Sequence, residues 1–185
     1  HLLAELEPEA LRCAAEECLA VSEGHYLALF GPGGPVSPRE VAWRGRLDPG
    51  EILADIGGFY EAFAYRPVVE DPPDHLAVEL GFLAYLRVKE AYARASGEEE
   101  EAEITASAAE RFLETHLRPW VGRAASRLES MELVPFARLL RVLTEKIGDC
   151  ADQDDAPLPG LEDEGPLSCG ADCESGSCPY TSSQV

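Results

Sequence analysis

The sequence predicts an all-α fold, a single-domain bundle of helices followed by an acidic tail. Apolar residues recur at intervals of three and four along most of the first 150 residues, and no window alternates with the two-residue period of a strand. A chain of 185 residues, 45% of them hydrophobic, is long enough to bury a core of its own. We therefore expect one helical domain over residues 1–150 and a disordered tail over 151–185.

The first half of the chain predicts two helices and a loop. Residues 4–21 are rich in Ala, Leu and Glu at helical spacing, and a short apolar stretch, 26–30, leads into 31–35. The glycines and prolines of 31–35 predict a loop, since they suit neither a helix interior nor a central strand. Asp48 and Pro49 then predict a helix start, as N-cap and first-turn residue. The expected core stripe of that helix is Ile52, Ile56, Phe59 and Phe63.

The middle of the chain predicts a longer helix. Gly57 and Gly58 weaken the preceding helix, and we expect them to allow close packing against a neighbour. Pro72-Pro73 is an extended linker, and Asp74 is the expected N-cap of a helix that runs to about Ser96. The expected core stripe is Leu76, Leu80 and Leu83, widened by Phe82 and Leu86.

Two more helices are predicted before the tail. Gly97 and the glutamate-rich run 98–103 predict an exposed connection, followed by a helix over about 105–118. Pro119-Trp120 is expected at a break or at the start of a short helix, and the last helix covers 132–148, closed by Gly148. The residues expected to face inward are Ala109, Phe112, Leu113, His116, Leu117, Phe136, Leu140, Leu143 and Ile147.

The charge excludes one class of partner. Thirty-five acidic and 15 basic residues give a formal net charge of −20, and residues 149–185 hold nine acids without any Lys or Arg. Binding to nucleic acid requires a basic surface, so we expect no nucleic-acid partner, whereas a basic peptide suits this surface. The plainer alternative is that the acidity serves solubility. No run approaches the ~20 apolar residues of a transmembrane helix, so stable membrane insertion is not expected.

Six cysteines in a chain that can build its own core indicate a reducing compartment, and we expect a cytoplasmic protein. The chain begins at His1 inside a helical pattern, so we expect a start segment to precede it. Cys169, Cys173 and Cys178 are close enough to bind zinc or an iron–sulfur cluster, with Cys150 as a fourth ligand. Their spacing does not match common patterns, and a tail of reduced thiols is the preferred interpretation.

Two groups in the helical part are candidates for function. Asp74, His75 and Glu79 can grip a guanidinium or another cation at a helix start, or they are an N-cap followed by ordinary surface residues. His116 and Trp120 are expected as a hydrogen-bonded core histidine and a core aromatic residue. No nucleophile motif occurs, and 31–35 lacks the Lys-Ser/Thr of a phosphate loop, so we expect neither an enzyme nor a bound cofactor.

Four segments, in this order, resemble the TorD/DmsD-type redox-enzyme maturation chaperones. The segments are Tyr26-x-x-Leu-Phe-Gly31-Pro32-Gly, the stretch from Pro38 to Trp43, Pro72-Pro-Asp-His-Leu-x-x-Glu-Leu-x-Phe-Leu83, and Phe112-Leu-x-x-His-Leu-x-Pro-Trp120. The resemblance covers residues 26–120, and helical patterning extends it to about 148. Arg39-Glu40 and Gly81 depart from the pattern at positions where an aromatic or acidic residue is usual.

The resemblance implies a TorD-like helical bundle that binds the twin-arginine signal peptide of a molybdopterin-containing oxidoreductase, or its apoenzyme, in the cytoplasm until the cofactor is inserted. It implies a peptide-binding region that includes Asp74 and His75, with Trp43 beside them, and we add Glu79, His116 and Trp120 to it. Gly31 and Pro32 are the expected loop of this region.

Two alternatives stay open at this stage. One is the related nitrate-reductase-type assembly chaperone, which shares the Pro-Asp-His-Leu helix, although the Gly-Pro loop and His-Leu-x-Pro-Trp segment favour the first type. The other is a metal- or redox-binding protein that acts through Cys169, Cys173 and Cys178. The sequence indicates neither the client enzyme nor an oligomeric state.

Overall fold

Helices make up most of the chain, as the sequence predicts. The computed structural model describes residues 9–131 and 134–148, without the side chains of Ala10 and Val134. In chain order the elements are α1 (Glu9–Leu19), α2 (Glu23–Phe30), a 3₁₀ turn (Glu40–Ala42), α3 (Pro49–Ala62), α4 (Leu76–Ser96), α5 (Glu99–Phe112), a π-helical turn (Leu113–Leu117), α6 (Arg118–Ser130) and α7 (Val134–Ile147). No strand occurs among these described residues, which confirms the all-α prediction.

Several predictions concern residues outside the described ranges. The start of the first predicted helix, 4–8, is among them, whereas 9–19 is helical as expected. The tail 151–185 and Cys150, Cys169, Cys173 and Cys178 also lie outside the described residues. Within the described helices, none is long and apolar enough to cross a bilayer.

Capping residues were predicted for the starts of α3 and α4. The prediction is confirmed for α3 and is one residue too early for α4. Asp48 caps α3 as predicted, accepting from the amides of Gly50 and Glu51 at 2.7 and 3.3 Å, and Pro49 occupies the first turn. The cap of α4 is His75 rather than Asp74, because Nδ1 of His75 accepts from the amide of Ala77 at 3.2 Å. The Asp74 carboxylate is turned away from the helix and binds Arg39 instead.

Helices α4 and α5 pack against each other as a hairpin joined by Gly97 and Glu98. Gly97 has φ of +77°, the left-handed conformation that suits a glycine after a helix. The predicted exposed connection over 98–103 is too long, because α5 begins at Glu99. Its first turn holds Glu99, Glu100 and Glu101, where the helix dipole favours negative charge, and the buried Ala102 fixes that turn to the core.

The core stripe of α4 lies differently from the prediction. Val78, Phe82 and Leu86 are fully buried, whereas the predicted stripe of Leu76, Leu80 and Leu83 is partly buried at its margins. The reason is that Phe82 packs against both Phe59 of α3 and Phe112 of α5, so the helix is covered on two sides. In α3, Tyr60 is buried beside Ile52 and Ile56, while Phe59 and Phe63 are only partly buried.

The prediction for Gly57 and Gly58 is wrong. A Cβ added at either position would meet nothing within 4 Å, so neither glycine serves close packing among the described residues. Close approach occurs instead at Gly31 and Gly34, where a Cβ would lie 2.4 Å from the carbonyl oxygens of Leu27 and Leu29. These two glycines let the chain turn tightly out of α2 into the following loop.

The C-terminal part of the bundle consists of α6, α7 and α1. Helix α7 packs against both of the others, and Arg138 on α7 forms an ion pair with Glu17 on α1. The predicted stripe of α7 is confirmed, with three members buried (Phe136, Leu140 and Ile147) and Leu143 partly buried. The Nε of Arg118 donates to the carbonyl of Ile147 at 2.6 Å, and Gly148 follows with φ of +79°.

Candidate functional site

The loop between α2 and α3 is fixed to the beginning of α4 by main-chain hydrogen bonds. The amide of Glu40 donates to the carbonyl of Asp74, and the amide of Leu76 donates to the carbonyl of Pro38, both at 2.9 Å. Arg39 and His75 therefore form an isolated antiparallel bridge. This bridge brings two segments that are about 35 residues apart into one site.

Asp74 is a fully buried carboxylate whose two oxygens are both occupied. Nε of Arg39 donates to Oδ1 at 2.9 Å and to Oδ2 at 3.2 Å, and the second guanidinium nitrogen of Arg39 lies 2.9 Å from Oδ1. The amide of Val41 adds a weaker bond to Oδ2 at 3.3 Å. A charged group without exposure is stable only when paired in this way, so Asp74 fixes the loop to α4.

Glu40 and His116 form the centre of the site. Both side chains are buried, and Nδ1 of His116 lies 2.9 Å from Oε2 of Glu40. Nε2 of the same ring lies 3.1 Å from Oδ2 of Asp55, a residue of α3 whose side chain is 52% exposed. The other oxygen of Glu40 accepts from Arg44 at 2.8 Å. The site therefore links the loop, α3 and the π-helical turn.

The two bonds of His116 constrain its protons. A neutral imidazole has one N–H donor, whereas carboxylates only accept, so a ring between two carboxylates needs two donors. Either the ring is an imidazolium or one of the two carboxyl groups carries a proton. In both cases one proton is shared along the contacts from Glu40 through His116 to Asp55. Hydrogen bonds therefore connect the buried carboxyl group of Glu40 with the half-exposed carboxyl group of Asp55.

Glu79 is a second buried carboxyl group beside this centre. It is fully buried, and neither of its oxygens has a hydrogen-bond partner among the described residues. Burial raises its pKa well above the ordinary value, and the carboxylates of Glu40 and Asp74 raise it further. The indole N–H of Trp120 lies near enough to lower the pKa slightly, yet its geometry does not make a hydrogen bond. Glu79 is thus held in its neutral form more readily than a surface glutamate.

Trp43 and Trp120 form an aromatic pair, and the indole of Trp120 lies near Glu79. Their rings are stacked with centroids 6.3 Å apart and planes 22° apart, and both side chains are buried. Nε1 of Trp43 donates to the carbonyl of Ser37 at 2.9 Å, which fixes the tryptophan within its own loop. The prediction of a hydrogen-bonded core histidine and a core aromatic residue is confirmed for His116 and Trp120.

The π-helical turn contains a carbonyl group, that of Thr115, which is hydrogen-bonded by a side chain from the distant loop. Pro119 has no amide, so the carbonyl of Thr115 lacks the donor that an α-helix would provide four residues later. Arg44 provides one, since its guanidinium donates to that carbonyl at 2.8 Å while also binding Glu40. The wider turn places His116 toward the loop, in the kind of irregular helix segment that often accompanies function.

An open cleft of about 200 Å³ lies next to this centre. It is lined from the loop by Glu40, Arg44 and Leu47, from α3 by Glu51, Ile52 and Asp55, and from the π-helical turn by Thr115 and His116. Three of these eight side chains are carboxylates. No group of three or more His, Cys, Asp or Glu within the described ranges is arranged to hold a metal ion.

The structure brings most of the predicted site residues together around the buried acids, but only His116 among them lines the cleft. Four others are buried and do not line the cleft, namely Trp43, Asp74, Glu79 and Trp120. His75 is partly buried at the start of α4. Gly31 and Pro32 form the turn after α2. The interpretation of Asp74 as an N-cap followed by ordinary surface residues is wrong, because His75 is the cap and Glu79 is fully buried.

The sequence did not reveal five participants, namely Arg39, Glu40, Arg44, Glu51 and Asp55. Two weak signals were present, because Glu40 and Arg44, like Glu51 and Asp55, are spaced four residues apart. Nothing in the sequence joined these pairs to His116, which lies 76 residues after Glu40 and 61 after Asp55.

Comparison with known proteins places the chain in a family. The sequence model of the nitrate reductase delta subunit family matches residues 2–126. The chain belongs to this family. The match confirms the predicted resemblance to redox-enzyme maturation chaperones and carries the description of the nitrate-reductase type, the alternative given above.

Two curated relatives of this delta-subunit family protein are assembly chaperones by name. It is 38% identical over 115 residues to the selenate reductase assembly chaperone protein of Thauera selenatis, and 36% identical over 116 residues to the chlorate reductase assembly chaperone protein of Ideonella dechloratans. Each match covers 60% of this chain and 58% of the relative. No solved structure matches the chain.

Proposed function

We propose that this delta-subunit family protein is a cytoplasmic assembly chaperone for a molybdopterin-containing oxidoreductase. It binds the enzyme's twin-arginine signal peptide, or the apoenzyme, until the cofactor is inserted. The names of the two relatives support the chaperone role, and the family resemblance supports the class of client.

One structural observation carries the proposal. The loop 37–44, the start of α4 and the π-helical turn, which are far apart in sequence, meet around three buried acids: Glu40, Asp74 and Glu79. Burying acidic side chains is costly for stability, and one of the three, Glu40, also lines the cleft and adds negative charge to it. An acidic centre that opens into a cleft suits a basic peptide.

We expect the chain to act by binding and not by turnover. The buried histidine has carboxylates on both ring nitrogens, and within residues 9–131 and 134–148 no serine, threonine or cysteine is hydrogen-bonded to it. A catalytic site of the acyl-transfer type needs that contact between base and nucleophile. The two hydrogen bonds of His116, to Glu40 and Asp55, instead fix the geometry of the site.

Calorimetric titration tests the proposal. The full chain is titrated with a synthetic leader peptide of a molybdenum reductase, and in a second experiment with a scrambled peptide of the same composition. We expect saturable binding of the leader with an affinity at least tenfold higher than that of the scrambled peptide. Equal affinity for the two peptides, or binding of neither, contradicts the role in signal-peptide binding.

A further inference from the structure

We propose that the cleft between α3 and the π-helical turn binds the guanidinium of a client arginine, with Glu51 and Asp55 as its direct partners. This inference rests on the proposed function and specifies where the charged part of the leader binds. It moves the contact away from Asp74, the carboxylate that the resemblance implies.

Asp74 is a poor partner for an incoming arginine. Its carboxylate is fully buried, and Arg39 and the amide of Val41 already occupy both oxygens. A client guanidinium would have to displace Arg39 and separate the loop from α4. Truncating one partner of a buried ion pair leaves an uncompensated charge, so this exchange is unfavourable before any client contact forms.

Glu51 and Asp55 have the accessibility that Asp74 lacks. Both lie on α3 four residues apart, so their side chains share one face of the helix. The side chain of Asp55 is about half exposed, and its described bond uses only Oδ2, toward His116. Glu51 is exposed and lines the cleft together with Asp55. A planar guanidinium with its fork of donors can bridge two such carboxylates.

The charge of the cleft is favourable in either protonation state. Its lining holds the carboxylates of Glu40, Glu51 and Asp55 against the guanidinium of Arg44. With the one proton that His116 shares with Glu40 and Asp55, the net formal charge of the lining is −1, whichever of the three groups holds that proton. Arg44 is directed toward Glu40 and the carbonyl of Thr115, where its donors are used inside the protein. A cation that enters the cleft therefore meets a negative surface on α3.

The size and the apolar lining suit a side chain and not a cofactor. The cleft measures about 200 Å³, which is below the roughly 300–1,000 Å³ of sites for small molecules and cofactors. Leu47, which is 43% exposed, and the buried Ile52 supply apolar surface beside the acids. Such surface suits the methylene stem of an arginine, while the guanidinium reaches the carboxylates.

Substitution of the two acids tests the site directly. Wild type, Glu51→Gln, Asp55→Asn and the double variant are titrated with a twin-arginine leader peptide and with its twin-lysine counterpart. We expect each single variant to bind the twin-arginine peptide about three- to tenfold more weakly, and the double variant to lose the preference for arginine over lysine. Glu103→Gln on α5 is the matched control, because it removes an exposed acid that does not line the cleft.

The outcomes separate this inference from the proposed function. Leader binding by wild type with no change in the α3 variants overturns the arginine site and leaves the chaperone role standing. A second probe needs no client: N-acetyl-arginyl-arginine amide is titrated while the ring signals of His116 are followed by NMR. We expect these signals to shift in wild type and in Glu103→Gln, but much less in the double variant. Equal shifts in all three proteins, or no shift in wild type, overturn the site.

For Asp74→Asn we expect the reverse of the α3 variants, namely a loss of stability without a loss of arginine recognition. Because Asp74 pairs with Arg39 inside the protein, we expect this variant to lower the melting temperature, while the preference for arginine over lysine is kept at temperatures where it is folded. Loss of that preference in a folded Asp74→Asn protein would place the arginine contact at Asp74 and overturn the inference.

Discussion

Glu79 shows what a single buried carboxyl group implies for stability. Its pKa is raised above the value it has in the unfolded chain, chiefly by burial and then by Glu40 and Asp74. As pH rises from the unfolded pKa to the folded pKa, the unfolded chain releases this proton while the folded chain retains it. The folded state is therefore progressively disfavoured over that window, and the penalty is complete above the folded pKa.

We expect Glu79→Gln to stabilise the protein at alkaline pH, because the amide is neutral at every pH and removes this penalty. The gain is on the order of 1 kcal/mol, which corresponds to roughly 2–4 °C in melting temperature for a chain of this size. Denaturant unfolding between pH 5 and pH 9 measures it, with Glu103→Gln as an exposed control. A variant that is less stable than wild type at pH 9 would show that the ionised Glu79 is needed for folding.

For individual residues, the sequence predicted burial better than it predicted which side chains are hydrogen-bonded to each other. It correctly placed His116 and Trp120 in the core, because their spacing from Phe112 and Leu113 follows the helical period. It gave no information on Glu40 or Asp55 as partners of His116, since hydrogen bonds across 61 and 76 residues leave no local pattern. A buried acid cannot be told from a surface acid by residue type alone, which is why the interpretation of Glu79 as a surface residue is wrong.

Among the elements, the end of α3 stores local strain. Ala64 has φ of +53°, the left-handed conformation that glycine adopts at little cost. The amide of Tyr65 donates to the carbonyl of Tyr60 at 2.8 Å, so the turn is closed by a hydrogen bond that fixes this conformation. The same turn brings the rings of Tyr60 and Tyr65 into contact.

We expect Ala64→Gly to raise the free energy of unfolding by about 0.5–1 kcal/mol. Removing the strain of a left-handed alanine is worth roughly 1–2 kcal/mol, and part of this gain is offset by the greater entropy of glycine in the unfolded chain. Ala54→Gly, within the exposed face of α3, is the control and should lower stability by up to about 1 kcal/mol. Chemical denaturation compares the two, and destabilisation by both substitutions would contradict the strain at Ala64.

Element boundaries were predictable where their signals are local. Asp48-Pro49 and Gly148 mark a helix start and a helix end through their own backbone preferences, and both are confirmed. The cap of α4 was assigned one residue too early, because Arg39 binds the better capping residue, Asp74, from another segment. The glutamate run was mistaken for a connection, since composition alone does not show that acids at a helix start are favoured by its dipole.

For the whole molecule, the excess of acid is the property that a basic client meets first. Residues 1–148 contain 26 acidic side chains against 15 Lys and Arg, even without the nine acids of 149–185. Such a surface attracts a cationic peptide over several ångströms and speeds its association, and salt screens this attraction.

We expect the affinity for a twin-arginine leader to fall about three- to tenfold between 0.05 and 0.5 M NaCl, as the screening length shortens. A leader in which both arginines are replaced by citrulline, which keeps the shape and loses the charge, should bind with little dependence on salt. Titration calorimetry at the two salt concentrations makes the comparison. If the affinities of the two peptides fall by the same factor with salt, the arginines of the client do not interact with the acidic surface.

The contact between Arg44 and Thr115 has a consequence for how the protein can be rebuilt. A side chain from the loop completes the main chain of a helix 71 residues later, at the carbonyl that Pro119 leaves without a donor. Neither segment is therefore a self-contained part. A recombinant chimera that exchanges the loop with that of a relative should also exchange the π-helical turn and Pro119, because the two segments are one transplantable unit despite their distance along the chain.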